Sequence, residues 1–273
     1  MEISPALWKS QMSSIYQQLL TTAPTDLPPI KAIHICHEEN NPSAKFGVVE
    51  LEGGTIGLTY VKLGNAFEQL QNESLYSDYI GKAVTDLAQL SVLQQDWQQV
   101  LGAGALNAIS QYVLKQRGFN YHNEEDSLEL LDIQPGERVG MVGYFAPLIA
   151  QLREQQTPLT VIELRAELVQ AKGNFEVTTD PSKLAQCDKV LITGTSVINN
   201  TLEGLLTHCH KAQEIALVGP SVGLLPEVLF EHGITRIGGR AVVNSELFLE
   251  RWKSGEKWKE SVTRYSLRNS DYK

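Results

Sequence analysis

The chain has 273 residues, of which 42% are hydrophobic and 20% are charged, a composition typical of a globular protein with one large or two modest domains. Its net charge of −9, with no run rich in lysine or arginine, argues against nucleic acid or an anionic membrane as the main partner, because both require a positive surface. No apolar run approaches the roughly 20 residues of a membrane-spanning helix, the N-terminus does not resemble a signal peptide, and the three cysteines are scattered, so we expect a cytoplasmic protein without disulfides.

The first predicted elements are a helix, a strand and a hairpin. The helix begins at the N-cap residue Ser4 and continues at helical spacing to Leu19. A strand follows in residues 27–36. The hairpin covers residues 45–63, and its Gly-Gly pair can adopt the positive φ that a tight turn needs.

Two further helices are predicted before the middle of the chain. One covers residues 78–90, and the other runs from a candidate cap, Asp96, to Gly118, a plausible C′ residue. The sequence then becomes polar and acidic, with three acids in a row at 124–126. We place the domain boundary there, which gives domains 1–122 and 123–273.

The second half alternates between apolar strands and helices, a pattern typical of a parallel sheet that is covered on both faces. The predicted strands are residues 138–145, 159–165, 188–195, 214–221 and 234–243, and 174–180 is an edge strand or a loop. The predicted helices are residues 146–155, 200–210, 223–233 and 245–255. The whole chain is therefore predicted to be an α/β protein, an α+β domain followed by a parallel-sheet domain. In such sheets the ligand lies outside the carboxyl ends of the strands.

Three loops are expected to open on that edge, at residues 143–147, 193–201 and 219–226. The second loop carries four good helix-capping residues, and two glycines would let the backbone approach a ligand closely. These are Thr195, Ser196, Asn199 and Asn200, with Gly194 and Gly219. Outward backbone N–H groups at a helix end would attract a carboxylate, phosphate or sulfate, although the same residues would also serve as ordinary caps.

The first loop reads Gly-x-x-Gly-x-x-Ala from Gly140, which is not the dinucleotide fingerprint, and the bulky Tyr144 and Phe145 occupy the place that a pyrophosphate would need. Glu163, however, ends the second strand 20 residues after Gly143, where an acid commonly binds a ribose hydroxyl. Two interpretations of Glu163 therefore remain: it binds a nucleoside-like group, as in Rossmann-like methyltransferases, or it is an ordinary surface glutamate at a strand end.

The segment GAGALNAIS, residues 102–110, contributes a candidate from the first domain. Its small residues let a ligand or another backbone come close, and Asn107 and Ser110 share one helix face. The pair is either a surface stripe or part of a pocket, and we favour the pocket because the surrounding alanines imply tight packing.

The segments GAGALNAIS, PGERVGMVGYFAPLI, LITGTSVINNTLEGLL and VGPSVGLLPEVLFEHGITRIGGRAVVN resemble a prokaryotic family of unknown function described as "putative heavy-metal chelation". The resemblance implies an enolase N-terminal-like domain followed by a Rossmann-like domain, with a site between them for small molecules related to flavins, pterins or siderophores. It assigns site positions to Asn107, Gly143, Tyr144, Phe145, Pro147, Thr193, Gly194, Thr195, Asn199, Thr201, Gly219, Pro220 and Ser221. Asn200 stands where glycine is expected, and asparagine tolerates positive φ better than most residues.

The sequence predicts no protein-held metal site. Neither HICHE (34–38, with His34 and Cys36 on one strand face) nor THCH (207–210) forms a tetrahedral cage alone, so chelation would mean handling a chelator or its precursor. Ser196 and Ser221 lack a nucleophile elbow. The sequence names no cofactor. Trp252 and Trp258 would pack internally or support a homodimer contact.

We therefore expect a cleft between two domains that binds a small anionic or metal-chelating molecule. Condensation or hydrolysis assisted by oriented hydrogen bonds is the first hypothesis for its function. A non-catalytic sensor or carrier of a metal chelate and a nucleoside-cofactor enzyme are the alternatives. Stacking of Tyr144 or Phe145 on a ligand ring, and a polar wall formed by Asn107 and Ser110, belong to the same hypothesis.

Overall fold

The computed structural model describes residues 14–38, 40–121, 131–270 and 272. The Ser4 cap, the acidic run at 124–126 and the domain boundary lie outside these residues, so they stay predictions. The first half, residues 14–121, holds a three-stranded antiparallel sheet, and its strands are β1 (Ile30–His34), β2 (Phe46–Leu51) and β3 (Ile56–Tyr60). Its helices are α1 (Ser14–Thr22), α2 (Ala66–Gln69), α3 (Val84–Ala88) and α4 (Asp96–Gln116).

The predicted hairpin is confirmed. Strands β2 and β3 pair antiparallel, and the turn between them places Gly53 at φ 82° and Gly54 at φ 79°. The predicted helix over residues 78–90 is wrong, because only Val84–Ala88 is α-helical. The predicted helix is interrupted at Gly81, whose φ is 80°. There the N–H of Gly81 donates to the carbonyl of Ile30, and the N–H of Ile30 donates to the carbonyl of Lys82.

Helix α4 is the central helix of the first half and is buried on almost every side along its middle. The small residues of α4 let its backbone lie directly against the backbone of β3. The contact is so close that a Cβ on Gly57 of β3 would overlap the backbone of Gly104 and Ala108. The predicted helix is confirmed, but its N-cap is Gln95 rather than Asp96. The Asp96 carboxylate instead accepts a hydrogen bond from the backbone N–H of Asn65 at 3.1 Å.

The second half, residues 131–272, forms an eight-stranded sheet. Its strands are β4 (Val139–Val142), β5 (Leu159–Ile162), β6 (Gln170–Lys172), β7 (Phe175–Thr178), β8 (Lys189–Thr193), β9 (Glu214–Val218), β10 (Arg236–Val242) and β11 (Val262–Arg268). Its helices are α5 (Ala146–Glu154), α6 (Thr195–Ile198), α7 (Leu202–Leu206), α8 (Pro226–Glu231) and α9 (Ser245–Ser254). The predicted helix over 200–210 is limited to α7.

The strand order is β11-β10-β9-β8-β4-β5-β7-β6, and all strands from β10 to β7 run parallel. Counted in chain order, these six parallel strands lie in the order 3-2-1-4-5-6, which is the order of a doubly wound dinucleotide-binding sheet. The order reverses between β4 and β8. Strand β7 lies inside the sheet, with β6 as the edge, so the edge-strand interpretation of residues 174–180 is wrong.

The two halves share their apolar core. One continuous cluster joins side chains of α4 and β2, such as Leu101 and Val49, with Leu217 of β9 and Val222. On the outer face of the first sheet, Phe248 and Trp252 of α9 pack against Val48, Ile56 and Leu58. The chain is therefore an α/β protein, as the sequence predicts, and its two halves are packed together through α4 and α9.

Candidate functional site

A cavity of about 500 Å³ opens at the carboxyl edge of the large sheet, where the strand order reverses between β4 and β8. Its size falls in the range of small-molecule sites, and its place is the crevice expected for doubly wound sheets. Both halves contribute to this cleft cavity. It is lined by Tyr60, Leu63, Val142, Gly143, Ile162, Glu163, Leu164, Thr179, Pro181, Thr193, Thr195, Ser196, Asn199, Asn200, Thr201, Gly204, Leu205 and His208.

Two other hollows of the described structure have similar volumes, about 460 Å³ beside α1 and α3 and about 540 Å³ near the end of α4. Volume alone therefore does not select a site. The cleft cavity is distinguished by its position at the strand reversal and by its convergent hydroxyl, amide, carboxylate and imidazole groups.

Residues 193–201, which we call the hydroxyl segment, form one wall of the cavity. The hydroxyls of Thr193 and Thr195 lie 3.1 Å apart, and Ser196 Oγ donates to the carbonyl of Thr193 at 2.7 Å. Asn199 Oδ1 accepts from the hydroxyl of Thr201 at 2.7 Å. The wall therefore presents side-chain hydroxyl and amide groups that are already held in place by one another.

The amides of the hydroxyl segment do not have the expected role. Thr195, Val197, Asn199, Asn200 and Thr201 all donate their backbone N–H groups to acceptors within residues 193–201. Helix α6 has only four residues, so it also provides little dipole. The expectation that outward N–H groups hold an anion here is therefore wrong for Thr195, Asn199 and Asn200.

Asn200 adopts φ 57° between α6 and α7, as its replacement of an expected glycine suggests. Its side-chain amide donates to the carbonyl of Ser91 at 2.9 Å, which fixes the hydroxyl segment to the first half. A second tie comes from α1, where the hydroxyl of Tyr16 donates to the carbonyl of Val197 at 2.5 Å. The first half therefore supports this wall from behind.

The first loop reaches the cavity only through Gly143. Its φ is 95°, and a Cβ there would lie 3.1 Å from Thr193 Cγ2, so a larger residue would be strained and crowded. Tyr144 and Phe145 are half-buried against the core beneath α5, and Pro147 is exposed in the first turn of α5. The structure does not place these three residues on the cavity lining.

Asn107 and Ser110 also lie away from the lining. The Asn107 amide nitrogen donates to the carbonyls of Leu58 at 2.7 Å and Ser221 at 2.9 Å, and its oxygen accepts from the N–H of Gly223 at 3.0 Å. Ser110 Oγ donates to Leu106, one turn back in the same helix. Asn107 therefore joins the two halves, and the polar wall expected from this pair is not what the structure shows.

Asn107 binds the first part of the third loop, residues 219–223, which we call the docking loop. Ser221 Oγ accepts from the backbone N–H of Tyr60 at 3.0 Å, and Gly219, at φ 137°, donates its N–H to Gly238 at 2.9 Å. Gly194 is buried, and a Cβ there would lie 2.5 Å from Val222 Cγ2. Ser221 therefore contacts the first half, whereas Gly194 and Gly219 make their contacts within the second half. These three residues and Pro220 do not line the cavity.

Glu163 and Arg165 form an ion pair at the cavity. Arg165 Nε and Nη2 donate to the two oxygens of Glu163, each at 3.2 Å, and its backbone N–H donates at 3.2 Å. Burial alone would raise the pKa of Glu163, but these hydrogen bonds from Arg165 outweigh it and hold the pKa below its usual value. Tyr60 stands nearby, and burial raises the pKa of its hydroxyl despite the opposing charge of Arg165.

The sequence analysis did not assign the lining residues Tyr60, Leu63, Gly204 and His208 to the site, nor Arg165 beside it. Arg165 could have been found from the sequence. It follows the strand-end acid Glu163 by two residues, and an arginine near such an acid can bind a phosphate. Tyr60 and Leu63 carried none, since they reach the cavity only through the docking of the first half.

The residues of the described structure do not fit a protein-held heavy-metal ion. Within these ranges no group of three or more His, Cys, Asp or Glu side chains is placed to bind one. Cys36, Cys187 and Cys209 are buried free thiols, and burial raises the pKa of Cys187 to about 11 and that of Cys209 to about 12. His34 Nε2 is paired with Glu50 at 2.9 Å. Among the described residues, no helix has the length and apolar character needed to cross a membrane.

Comparison with known proteins gives consistent results. A family model, DUF364, described as "Putative heavy-metal chelation", matches residues 126–270. The uncharacterized protein MJ0500 of Methanocaldococcus jannaschii is 27% identical over 175 residues, which are 62% of this chain and 66% of that protein, so the match spans just under two thirds of this relative.

Two crystal structures of DUF364 proteins of unknown function are similar over nearly the whole chain. The protein from Desulfitobacterium hafniense has a TM-score of 0.71 and 21% identity, covering 98% of this chain and 100% of that one. The protein from Pyrococcus horikoshii has a TM-score of 0.68 and 22% identity, covering 96% and 99%. At these identities the likeness shows the fold, and it confirms the predicted α/β architecture.

Proposed function

The chain belongs to the DUF364 family, described as "Putative heavy-metal chelation", and from this premise we propose that its cleft cavity binds a small organic molecule of the metal-chelating kind. Siderophore-like, pterin-like and flavin-like compounds form the ligand class. The protein handles the chelator, or the chelate, and does not hold the metal ion on its own side chains.

The cleft cavity is the observation that carries this proposal. Its floor is apolar, with Val142, Ile162 and Leu205, while the hydroxyl segment lines one wall. An apolar floor suits a ring system, and a few placed polar groups fix its orientation. Ring compounds that carry hydroxyl and amide groups match both surfaces.

The chemistry of the donors supports an organic ligand over a bare ion. Heavy metals prefer thiolate and imidazole ligands, whereas the cavity offers hydroxyls, amides, one carboxylate and the imidazole of His208. The cysteine thiols that could serve as soft ligands are buried, and burial raises the pKa of Cys187 and Cys209. A chelator would bring its own metal ligands and would use the cavity groups only for recognition.

A thermal-shift and calorimetric titration tests the proposal, with riboflavin, flavin mononucleotide, biopterin and iron(III) 2,3-dihydroxybenzoate as probes. A ligand at about 100 times its Kd should raise the free energy of unfolding by about 2.7 kcal/mol. Failure of all four probes to bind would overturn the proposed ligand class.

Gly204 allows a sharp control for the site. It lines the cavity, and a Cβ there meets nothing within 4 Å. We expect Gly204→Trp to fill the cavity and abolish binding, while Gly204→Ala keeps it. Equal binding by both variants would mean that the ligand lies elsewhere.

The site supports ligand binding without chemical conversion better than it supports catalysis. Ser196 Oγ donates to a backbone carbonyl and not to a base, so it is not activated as a nucleophile. If the bound compound is processed, the reaction is a condensation or hydrolysis assisted by oriented hydrogen bonds. Mass spectrometry of each probe before and after incubation separates a processing enzyme from a carrier or sensor.

A nucleoside-cofactor enzyme is the second candidate, and the position of Glu163 favours it. The acid ends the second parallel strand beside the strand reversal, where ribose hydroxyls bind in doubly wound sheets. S-adenosylmethionine is the probe for this alternative. A shift with this compound alone, and with none of the chelator probes, would favour it.

A further inference from the structure

Arg165 lies beside the cleft cavity and acts on two of its lining residues. Its guanidinium contacts both carboxylate oxygens of Glu163 at 3.2 Å, and its charge acts on the hydroxyl of Tyr60 from the other half. The Arg165 side chain is 56% exposed, whereas that of Glu163 is 11% exposed. The Glu163 carboxylate, which lines the cavity, is therefore largely covered, and the Arg165 guanidinium is accessible from solvent.

The ion pair is easy to open. Its contacts at 3.2 Å are longer than the 2.7–2.9 Å typical of strong charge-assisted hydrogen bonds. Ion pairs with an exposed partner contribute little to stability, so exchanging this one for ligand contacts costs little. Glu163 and Arg165 are thus available as an acceptor and a cation next to each other.

The site needs such a cation if its ligand is anionic. Five backbone N–H groups of the hydroxyl segment are used within the segment, so they do not provide the positive charge expected there. In doubly wound sheets a strand-end acid binds a ribose hydroxyl, and where that position carries a phosphate, an arginine nearby binds the phosphate instead. The arginine fork fits phosphate oxygens in a bidentate manner.

We propose that Arg165 is the charge-recognition residue of the cleft cavity, and that its ligand carries a phosphate group beside a polyhydroxyl chain or ribose. On binding, a ligand hydroxyl donates to Glu163 and the phosphate takes the released guanidinium. This inference rests on the proposed function and narrows its ligand class to phosphorylated compounds.

Riboflavin and flavin mononucleotide differ by one phosphate and make a matched probe pair. We expect wild-type protein to bind flavin mononucleotide at least about tenfold more tightly than riboflavin, as suits a hydrogen-bonded charge pair. In Arg165→Gln the preference should fall below about threefold, mainly by weaker binding of flavin mononucleotide. Arg153→Gln is the control, because it removes the same charge from α5, where Arg153 lies over the ring of Phe175.

Inorganic phosphate is the second probe, because its binding tests Arg165 without any contribution from the flavin ring. Glu163→Gln frees the guanidinium, so we expect it to bind phosphate at least about threefold more tightly than wild type in a ³¹P NMR titration. Glu167→Gln removes the same charge from the same loop and should show a smaller effect. The double variant Glu163→Gln/Arg165→Gln should lose the gain.

The outcomes separate the two proposals. Equal binding of both flavins, or a preference that survives in Arg165→Gln, overturns the role of Arg165 and leaves the proposed function standing. If neither flavin binds but the phosphate series behaves as expected, flavins are excluded from the proposed ligand class and the role of Arg165 is supported. If neither flavin binds and the double variant retains the gain in phosphate affinity, or no gain occurs, the role of Arg165 is overturned as well.

Discussion

At the residue scale, Asn107 connects the two halves through its side-chain amide. Its buried amide joins β3 and the docking loop through hydrogen bonds to Leu58, Ser221 and Gly223. We predict that Asn107→Ala lowers the free energy of unfolding by about 2–4 kcal/mol, because it leaves several buried backbone groups without partners. Urea unfolding at neutral pH measures the loss.

Ser110→Ala is the matched control for this prediction. The Ser110 hydroxyl is also buried, but it donates only to Leu106 in its own helix. Its replacement should cost less than about 1 kcal/mol. Equal losses in both variants would contradict the role of Asn107 as the tie between the halves.

The residue scale also gives a pH dependence, at Glu214 and Arg236. Arg236 Nε and Nη2 donate to the two Glu214 oxygens at 2.6 and 2.7 Å, and this hydrogen bonding holds the pKa of Glu214 below its ordinary value. A lowered carboxylate pKa gives stability that is present above the ordinary pKa of about 4.3 and is lost as the pH falls through the folded-state pKa.

We therefore predict that Glu214→Gln is less stable than wild type by about 2–3 kcal/mol at pH 7, and that the difference shrinks between about pH 5 and the acid limit of folding. Urea unfolding of both proteins across this range is the measurement. Glu256→Gln, which removes an exposed carboxylate, should follow the wild-type pH profile. A constant difference at all pH values would show that the pair is not the cause.

At the scale of elements, the contact of β3 with α4 depends on glycine. A Cβ on Gly57 would overlap the Gly104 carbonyl oxygen and lie 2.8 Å from the Ala108 Cα, and backbone atoms cannot rotate away. We predict that Gly57→Ala destabilises the chain by about 3 kcal/mol or more, through overpacking. Thermal unfolding of the variant tests this.

The control is Gly204→Ala in α7, where the added methyl group meets open space. Since alanine favours a helix over glycine, this change should be neutral or stabilise the chain by up to about 1 kcal/mol. A similar loss in both variants would show that the destabilisation does not come from the contact between β3 and α4.

The elements also show where prediction from sequence succeeds. Apolar runs and helical spacing predicted the hairpin, α4 and the parallel strands, because these patterns are local. The break at Gly81 was missed because it depends on pairing with Ile30, about 50 residues away. Strand β11, residues 262–268, was also missed, although its tyrosine and β-branched residues favour a strand.

The candidate site shows the same limit. The rule for strand ends predicted that Gly143, Glu163 and the hydroxyl segment lie at one edge of the sheet, and all three contribute to the lining of one cavity. The rule does not say which loops at that edge remain accessible to a ligand. The docking loop is not accessible, because Asn107 of the first half forms hydrogen bonds with it. That contact depends on how the whole first half packs, which the local sequence does not show.

On the scale of the whole molecule, the shared core makes separate unfolding of the halves unfavourable. Strand β2 is packed between α4 on one face and α9 on the other, and α9 belongs to the second half. Removing the second half would expose Val48, Ile56 and Leu58 to water. Helix α1 adds polar ties, since Glu203 of α7 accepts from Ser14 Oγ at 2.7 Å.

We therefore predict a single cooperative transition, in which tryptophan fluorescence and far-UV circular dichroism give coincident urea curves. Native-state hydrogen exchange is the more local measurement, and the amides of β2 and β8 should open with the same free energy, since neither sheet keeps its core without the other. Asn107→Ala should lower both by the same amount. Protection that is lost from β2 while β8 remains closed would show that the first half unfolds by itself, and the cleft cavity would then lose the wall that carries Tyr60 and Leu63 before the large sheet opens.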